Sequence, residues 1–135
     1  SVWTPEDALE IATLEAADLI SIYVAKSGGL FPARQVAHVA QAAGISCNVN
    51  GSVEFGVGNA ASLHLIASAQ NIDLPALIPV TNIEGREQVE VVNKFYLDDI
   101  IREPFDYDDG YLRIPEGPGL GIEIDEEKLH KYCVS

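Results

Sequence analysis

Residues 19–31 decide the fold, and their sequence is LISIYVAKSGGLF. The stretch begins with a short apolar run rich in β-branched residues, without the spacing of a surface helix. Such a run predicts a strand buried on both faces, as found in parallel sheets. The run ends on Lys26, and Ser27-Gly28-Gly29 follows. We therefore expect Lys26 at the carboxyl end of a buried parallel strand, where α/β proteins place their chemistry.

Helices and short strands alternate on both sides of this stretch. Cap residues, glycines and apolar spacing predict the elements. In order they are a helix from Thr4 to about Ala17, the strand before Lys26, a helix from Pro32 to Gly44, a strand at residues 45–49, a helix from Gly58 or Asn59, and a strand at residues 73–78 that Pro75 weakens. This αβαβαβ order predicts a parallel sheet with right-handed crossovers.

The alternation stops after Pro79. Residues 83–92 are polar and predict a loop with one short element, and residues 106–110 predict a turn between extended pieces. Residues 115–121, rich in proline and glycine, predict a rigid loop, and Asp125 is placed to cap a last short helix.

Composition limits the class of protein. The chain has 135 residues, of which 47% are hydrophobic, so it can bury the core of one domain. A formal net charge of -13 argues against nucleic acid and an anionic membrane surface as partners. Cys47 and Cys133 predict a buried free thiol, with a disulfide as the alternative. No signal peptide, spanning apolar run or lipidation motif is visible, which favours the cytoplasm.

The beginning of the sequence indicates a piece of a longer protein. The chain starts at Ser1, contains no methionine and enters a helix without a preceding strand. We expect it to be a C-terminal piece.

Lys26 and Glu54 are the two side chains whose placement indicates chemistry. Each follows a predicted strand, so in a barrel the two would be neighbours on one rim. A partly buried lysine loses hydration, which favours its neutral, proton-accepting form, and a nearby carboxylate can orient it. The alternative is a surface lysine beside a glycine turn and a solvated glutamate.

A second interpretation concerns Ser27-Gly28-Gly29. Backbone amides before a helix can hold a phosphate, which would make the chain a noncatalytic α/β module that binds a small anion. The spacing of the established phosphate-binding motifs is missing, so turn chemistry is favoured. The histidines at positions 38, 64 and 130 have no second ligand at metal spacing.

Four segments resemble the C-terminal part of the enolase superfamily, in its muconate cycloisomerase (muconate lactonizing) subgroup. They are YVAKSGGL at residues 23–30, AAGI at 42–45, VEFGVGNAASLHL at 53–65 and PGLGI at 118–122. The resemblance implies the C-terminal part of a modified (β/α)8, TIM-like barrel. Residues 1–104 would hold strands 6–8 with their helices. Residues 105–135 would be a tail that packs toward an α+β capping domain.

The resemblance also implies roles for single residues. Lys26 would be the sixth-strand acid/base lysine, and Glu54 would lie near the enolate end of the substrate. Asn50, Val53 and Phe55 would line the substrate pocket. No metal ligand is expected in this piece, because the carboxylates that bind Mg²⁺ or Mn²⁺ would lie upstream of Ser1. We expect the piece alone to be inactive for that reason.

The implied activity is that of a metal-dependent isomerase that abstracts the proton α to a substrate carboxylate. Muconate cycloisomerase, a racemase or epimerase of an amino-acid derivative, and o-succinylbenzoate synthase all remain open within the subgroup. A histidine–aspartate base, as in the mandelate racemase subgroup, is not visible. The implied partners are a small-molecule carboxylate, the remainder of the same polypeptide, and further copies of the protein in a homo-oligomer.

Overall fold

The computed structural model describes residues 2–52, 54–80, 90–91, 94–95 and 98–134. The chain divides into two compact units, Ser1–Gly51 with Ala61–Ile78 and Ser52–Ala60 with Pro79–Ser135. The elements are α1 (Pro5–Thr13), β1 (Leu19–Ile22), α2 (Val24–Ser27), α3 (Leu30–Ala42), β2 (Ser46–Val49), α4 (Phe55–Ser68), β3 (Glu90–Val91), β4 (Lys94–Phe95), β5 (Tyr107–Asp108), β6 (Tyr111–Leu112) and α5 (Glu126–Tyr132). None of the helices in these ranges has the length and apolar character needed to cross a bilayer.

The start of α1 confirms the predicted cap. Thr4 Oγ1 accepts a hydrogen bond from the backbone N–H of Asp7 at 3.2 Å, and the Asp7 carboxylate accepts one from the backbone N–H of Thr4 at 3.0 Å. This reciprocal capping box satisfies two amides that the helix leaves free. The helix ends at Thr13 rather than near Ala17, because Glu15 takes a left-handed conformation with φ +49°.

The first unit is built on a parallel pair of strands, as predicted. β1 and β2 pair in a register from Leu19–Ser46 to Ile22–Val49. Its buried core residues are Ala8, Ile20, Ile22, Ala33, Val36, Ala37, Ala40, Cys47, Val49, Leu65, Ala69 and Ile72.

The prediction that β1 is buried on both faces is wrong for this chain. Ile20 and Ile22 are buried, whereas Leu19 is 43% exposed and Ser21 is exposed. Successive strand residues point to opposite faces, and the core of the unit lies against only one of them. Hydrophobicity alone did not reveal this asymmetry, because Leu19 is apolar on the open face.

The third predicted strand is an extended segment joined to β2 by isolated bridges. Parallel bridges link Cys47 with Ile72 and Asn50 with Leu77. The Leu77 amide donates to Val49 O at 3.1 Å, and the Gly51 amide donates to Leu77 O at 2.8 Å. Pro75 lies between the two bridges and has no N–H to donate, which accounts for the interruption.

Helix α4 begins at Phe55, earlier than the predicted start at Gly58 or Asn59. Gly56 and Gly58 are therefore helical residues rather than part of a turn. A Cβ on Gly56 would lie 2.5 Å from Ile101 Cδ1, and one on Gly58 would lie 2.4 Å from Glu54 Cβ. Glycine is favoured at both positions because neighbouring side chains leave no room for a Cβ, and not because the backbone needs a conformation that only glycine adopts easily.

The second unit contains short antiparallel pairings. β5 and β6 form a hairpin in which Asp109 and Gly110 have φ +44° and +88°, so the turn predicted at residues 106–110 is confirmed. Ile101 bridges Ile124, and Asp125 caps α5 by accepting from the Lys128 amide at 3.1 Å, as predicted. The predicted loop at residues 83–92 lies outside the described residues except for β3. The predicted division after residue 104 stays a prediction.

We expect the contact between Asp98 and α5 to weaken at low pH. Asp98 contacts Lys128 Nζ at 2.9 Å and accepts from the Tyr132 hydroxyl at 2.8 Å. Hydrogen bonds from Lys128 and then Tyr132 lower the pKa of Asp98 from 3.8 to about 2. The pKa of Asp98 is lower in the folded state than in the unfolded state. The contact therefore stabilises the folded state fully above pH 3.8, and this stabilisation is lost as the pH falls towards 2. Hydrogen exchange of the α5 amides measures the loss, which should amount to about 1 kcal/mol or less for this half-exposed group.

Asp98→Asn provides the control. The variant should show faster exchange in α5 already at neutral pH, and a smaller further change on acidification than the parent chain. A steep acid transition in Asp98→Asn equal to that of the parent chain would contradict the assignment to Asp98.

The two cysteines should differ sharply in reactivity. Both are free, as predicted, with Cys47 buried and Cys133 exposed. Burial, with a smaller contribution from Asp73, raises the pKa of the Cys47 thiol from 9.0 to about 11. Thiolate is the reactive form, so a disulfide reagent at neutral pH should label Cys133 rapidly and Cys47 only after unfolding. Mass spectrometry of labelled peptides checks this, and rapid native labelling of Cys47 would contradict its burial.

Candidate functional site

The face of β1 and β2 that lies opposite the core carries polar side chains. Buried Ile20 and Ile22 alternate with Leu19 and Ser21, and the same alternation in β2 puts Ser46 and Asn48 on the open face. Asn50 directly follows β2, and its Nδ2 donates to Ser21 Oγ at 2.6 Å. The predicted site residue Asn50 thus belongs to a polar surface at the carboxyl ends of two parallel strands.

Tyr23 and Lys26 lie at the carboxyl end of β1. The strand ends at Ile22, so Tyr23 is the first residue beyond it. Lys26 lies on the one-turn helix α2 and is exposed. Its Nζ is 4.3 Å from the centroid of the Tyr23 ring, within the range of a cation–π contact.

Two expectations about Lys26 are therefore corrected. Lys26 does not end the strand, because the chain turns into α2 at Val24, where the Ser27 amide donates to Tyr23 O at 3.0 Å. Nor is it partly buried, since a helical turn carries the side chain beyond the core. Tyr23, which the sequence reasoning missed, occupies the strand end. Side chains alternate between the two faces of a strand, so a strand with Ile20 and Ile22 on the buried face places Leu19, Ser21 and Tyr23 on the open one. That alternation was the signal that could have identified Tyr23.

A cavity of about 310 Å³ lies beside β1, and Tyr23 and Lys26 line one part of it. Leu19, Ile20 and Ser21 also line it, although they belong to both faces of the strand. A space bordered by both faces lies along the strand's edge. In the described residues β1 pairs only with β2, and an inner strand of a sheet pairs on both edges. The cavity therefore lies along the edge of β1 that has no partner strand in the described residues.

The amides of Ser27-Gly28-Gly29 are engaged within the chain. The Gly28 amide donates to Ala25 O at 3.3 Å, and the Gly29 amide donates to Val24 O at 3.0 Å. The hydroxyl oxygen of Ser27 is buried and has no hydrogen-bond partner among the described residues. The Gly28 and Gly29 amides are not available to hold an anion, which disfavours the interpretation as an anion-binding module.

Glu54 and Phe55 lie in the second unit, at the start of α4. The half-buried Glu54 accepts a hydrogen bond through Oε2 from the backbone N–H of Ser52. Phe55 has φ +54°, a left-handed conformation that is uncommon for an aromatic residue. Val53 lies outside the described residues. Lys26 and Glu54 fall in different units, so their predicted proximity stays a prediction.

Asp99 is a buried carboxylate that the sequence reasoning did not single out. It is 3% exposed, and its Oδ1 accepts from the Gly56 amide at 2.8 Å and from the Ile100 amide at 2.7 Å. A carboxylate at the N-terminus of a helix is favourably placed in the field of the helix dipole. Asp99 therefore fixes the first turn of α4, which begins one residue after Glu54.

The metal ligands of the predicted site were expected upstream of Ser1, outside this chain. Within the part of the chain that the structure describes, no three His, Cys, Asp or Glu side chains are grouped so as to hold an ion. The residues present do not fit a Mg²⁺ or Mn²⁺ site of their own.

A parallel strand pair, helices between its strands and polar groups at the carboxyl ends together define an α/β protein. Residues 1–128 match the family model described as enolase C-terminal domain-like, and the chain belongs to that family. This confirms the resemblance inferred from the sequence.

Curated relatives agree with this membership. Muconate cycloisomerase 1 of Rhodococcus opacus is 39% identical over 132 residues, which cover 98% of this chain and 32% of that protein. The N-succinyl-L-Arg/Lys racemase of Bacillus cereus is 36% identical over 128 residues, which cover 93% of this chain and 30% of the racemase. The chain thus spans about a third of the length of these relatives.

Solved structures confirm the predicted fold class. The 2-chloromuconate cycloisomerase from Rhodococcus opacus 1CP superposes with a TM-score of 0.84 and 32% identity, over 100% of this chain and 33% of that one. The muconate lactonizing enzyme from Pseudomonas putida gives a TM-score of 0.81 and 28% identity, over 98% of this chain and 33% of that one. These neighbours are (β/α)8 barrel enzymes, so β1, β2 and their helices form a section of such a barrel.

Proposed function

We propose that the protein carrying this chain is an isomerase that removes the proton α to a substrate carboxylate. Its similarity to a muconate cycloisomerase and to an N-succinyl amino-acid racemase supports this reaction class. The observation that carries the proposal is the ammonium group of Lys26, 4.3 Å from the ring of Tyr23 at the carboxyl end of β1. In barrel enzymes the catalytic groups lie at that end of the strands.

Lys26 acts in this proposal as the acid/base group. In its neutral form it accepts the α-proton, and as an ammonium it returns a proton to the same carbon or leaves the intermediate to lose another group. Because Lys26 is exposed in this chain, the remainder of the barrel and the bound substrate have to desolvate it before it is an effective base.

Glu54 and the pocket residues have supporting roles in the proposal. Glu54 lies near the enolate end of the substrate, in a conformation that its hydrogen bond to the Ser52 amide restrains. Asn50 presents an amide at the end of β2, and Val53 and Phe55 supply apolar surface. An apolar wall beside polar groups is the usual composition of a small-molecule site.

Mg²⁺ or Mn²⁺ belongs, in the proposal, to carboxylates outside this chain. The described residues supply no ligand set, so no step assigned to this chain passes through the ion. Cytoplasmic location and assembly into a homo-oligomer stay predictions.

Cycloisomerase and racemase activities are both compatible with this arrangement. We propose a muconate cycloisomerase-like reaction first, and racemisation or epimerisation of an amino-acid derivative second. The second candidate is favoured by a specific similarity, to the N-succinyl-L-Arg/Lys racemase and to the L-Ala-D/L-Glu epimerase of Bacillus subtilis.

Exchange of the α-proton tests the proposal directly. The full natural polypeptide that carries this chain is incubated in D₂O with the lactone of muconate, with N-succinyl amino acids and with L-Ala-L-Glu. Proton NMR should show loss of the α-proton signal for at least one class, and the class identifies the reaction. Absence of exchange with every carboxylate, in a protein that binds one of them, would refute α-proton abstraction.

A further inference from the structure

We propose that Tyr23 is a positioning residue that holds the Lys26 ammonium at the carboxyl end of β1 through the face of its ring. This inference rests on the proposed function, because it assigns Tyr23 a part in the reaction of Lys26. It differs from the functions assigned above, in which Tyr23 has no role.

The contact itself is the first support. Lys26 Nζ lies 4.3 Å from the ring centroid of Tyr23, well within the distance of about 6 Å at which a ring attracts a cation. In the described part of the chain Lys26 forms no ion pair with a carboxylate. The ring is the group that restricts this long and otherwise exposed side chain.

Tyr23 and Lys26 lie within a single helical turn of the backbone. Tyr23 precedes α2 and Lys26 is the third residue after it, a spacing that places two side chains on the same side of a helical turn. Tyr23 is half-buried and directly follows β1, so its backbone continues that of the strand. Gly28 follows with φ +86° and ends the turn immediately. The strand therefore sets the position of the Tyr23 backbone, and the ring face beside Nζ restricts the lysine.

An aromatic partner suits a lysine that has to give up its proton. A carboxylate neighbour favours the charged form of a lysine and so opposes its action as a base. A ring face attracts the ammonium through its quadrupole but carries no net charge. Tyr23 can orient Lys26 without a buried counter-charge, and the hydroxyl of Tyr23 is not needed for this purpose.

Two variants of Tyr23 in the full natural polypeptide separate the ring from the hydroxyl. Tyr23→Leu should lower kcat for α-proton exchange about fivefold, the change expected from losing a cation–π contact at an exposed site. KM should stay within about twofold, since the substrate-binding groups are unchanged. Tyr23→Phe should retain the parent kcat.

A structural readout tests the pair without relying on turnover. The ε-methylene protons of Lys26, followed by NMR with ¹³C-labelled lysine, should be shifted upfield by the ring in the parent protein and in Tyr23→Phe. The shift should disappear in Tyr23→Leu. Tyr111→Leu is the matched control, because Tyr111 is a 79% exposed ring elsewhere in the chain, and its loss should change neither kcat nor the Lys26 signals.

Three outcomes would contradict, respectively, the Tyr23–Lys26 contact, the positioning role of Tyr23 and the proposed function. An unshifted Lys26 signal in the parent protein overturns the pair itself. If Tyr23→Phe loses activity as fully as Tyr23→Leu, the hydroxyl acts and the positioning role is wrong. A parent protein with the ring shift but no α-proton exchange refutes the proposed function and keeps the contact.

Discussion

Replacing Lys26 by glutamine in the full natural polypeptide is expected to slow α-proton exchange by at least about 100-fold, the usual contribution of a general base. The substrate should bind with a similar Kd, because glutamine is only one bond shorter than lysine and stays polar, while its neutral amide cannot accept the proton. NMR of exchange in D₂O measures the rate, and calorimetric titration measures Kd.

Lys131→Gln is the matched control for this experiment. Lys131 also lies over a tyrosine ring, with Nζ 4.8 Å from the centroid of Tyr132, but it belongs to α5. Its replacement should leave exchange unchanged. Unchanged exchange in Lys26→Gln as well would remove Lys26 from the mechanism, and the strand end would then have to offer another base.

Gly56→Ala is expected to lower the free energy of unfolding by about 1–3 kcal/mol, the usual cost of overpacking a filled site. The new Cβ would lie 2.5–2.7 Å from three side-chain atoms of Ile101. Ile101 is 3% exposed, so its side chain cannot swing into solvent to make room. Chemical denaturation of the parent protein and of Gly56→Ala measures the difference in the free energy of unfolding.

A double-mutant cycle with Ile101→Ala identifies the cause. Ile101→Ala removes the three atoms that the new methyl group would meet, at its own cost of about 2–5 kcal/mol. In that background Gly56→Ala should be neutral or stabilising by up to about 1 kcal/mol, because alanine favours a helix more than glycine does. An equal cost in both backgrounds would show that the contact with Ile101 is not responsible.

Local signals in the sequence predicted the helix ends that depend on local contacts. Thr4 caps α1 and Asp125 caps α5 through amides three residues further along the chain. Such bonds need only the residues of one turn, so sequence spacing is sufficient to predict them. Gly44 likewise has the left-handed φ of +72° expected after the end of α3.

The start of α4 could not be predicted in this way. Two glycines near one another, Gly56 and Gly58, are typical of a turn, but contacts with Ile101 and Glu54 explain them. Ile101 lies 45 residues further along the chain, as the numbering shows. A contact at that separation leaves no trace in a local pattern.

The error at Lys26 has a different origin. Apolar residues continue beyond Ile22 as Val24 and Ala25, and a short apolar run does not distinguish a strand from one turn of helix. Gly28 was a usable signal, because a left-handed glycine commonly follows a helix end. The motifs that identified the family do not depend on where β1 ends. Family membership was therefore predicted correctly, although the end of the strand was predicted too far along the chain.

The hydrogen bond between Asn50 and Ser21 has a consequence for hydration. The Asn50 amide and the Ser21 hydroxyl retain lone pairs and protons that water can satisfy. A molecule entering there displaces that water and gains affinity only if its own polar atoms replace the lost hydrogen bonds. The strand ends thus select against purely hydrocarbon ligands, whatever group carries out the proton transfer.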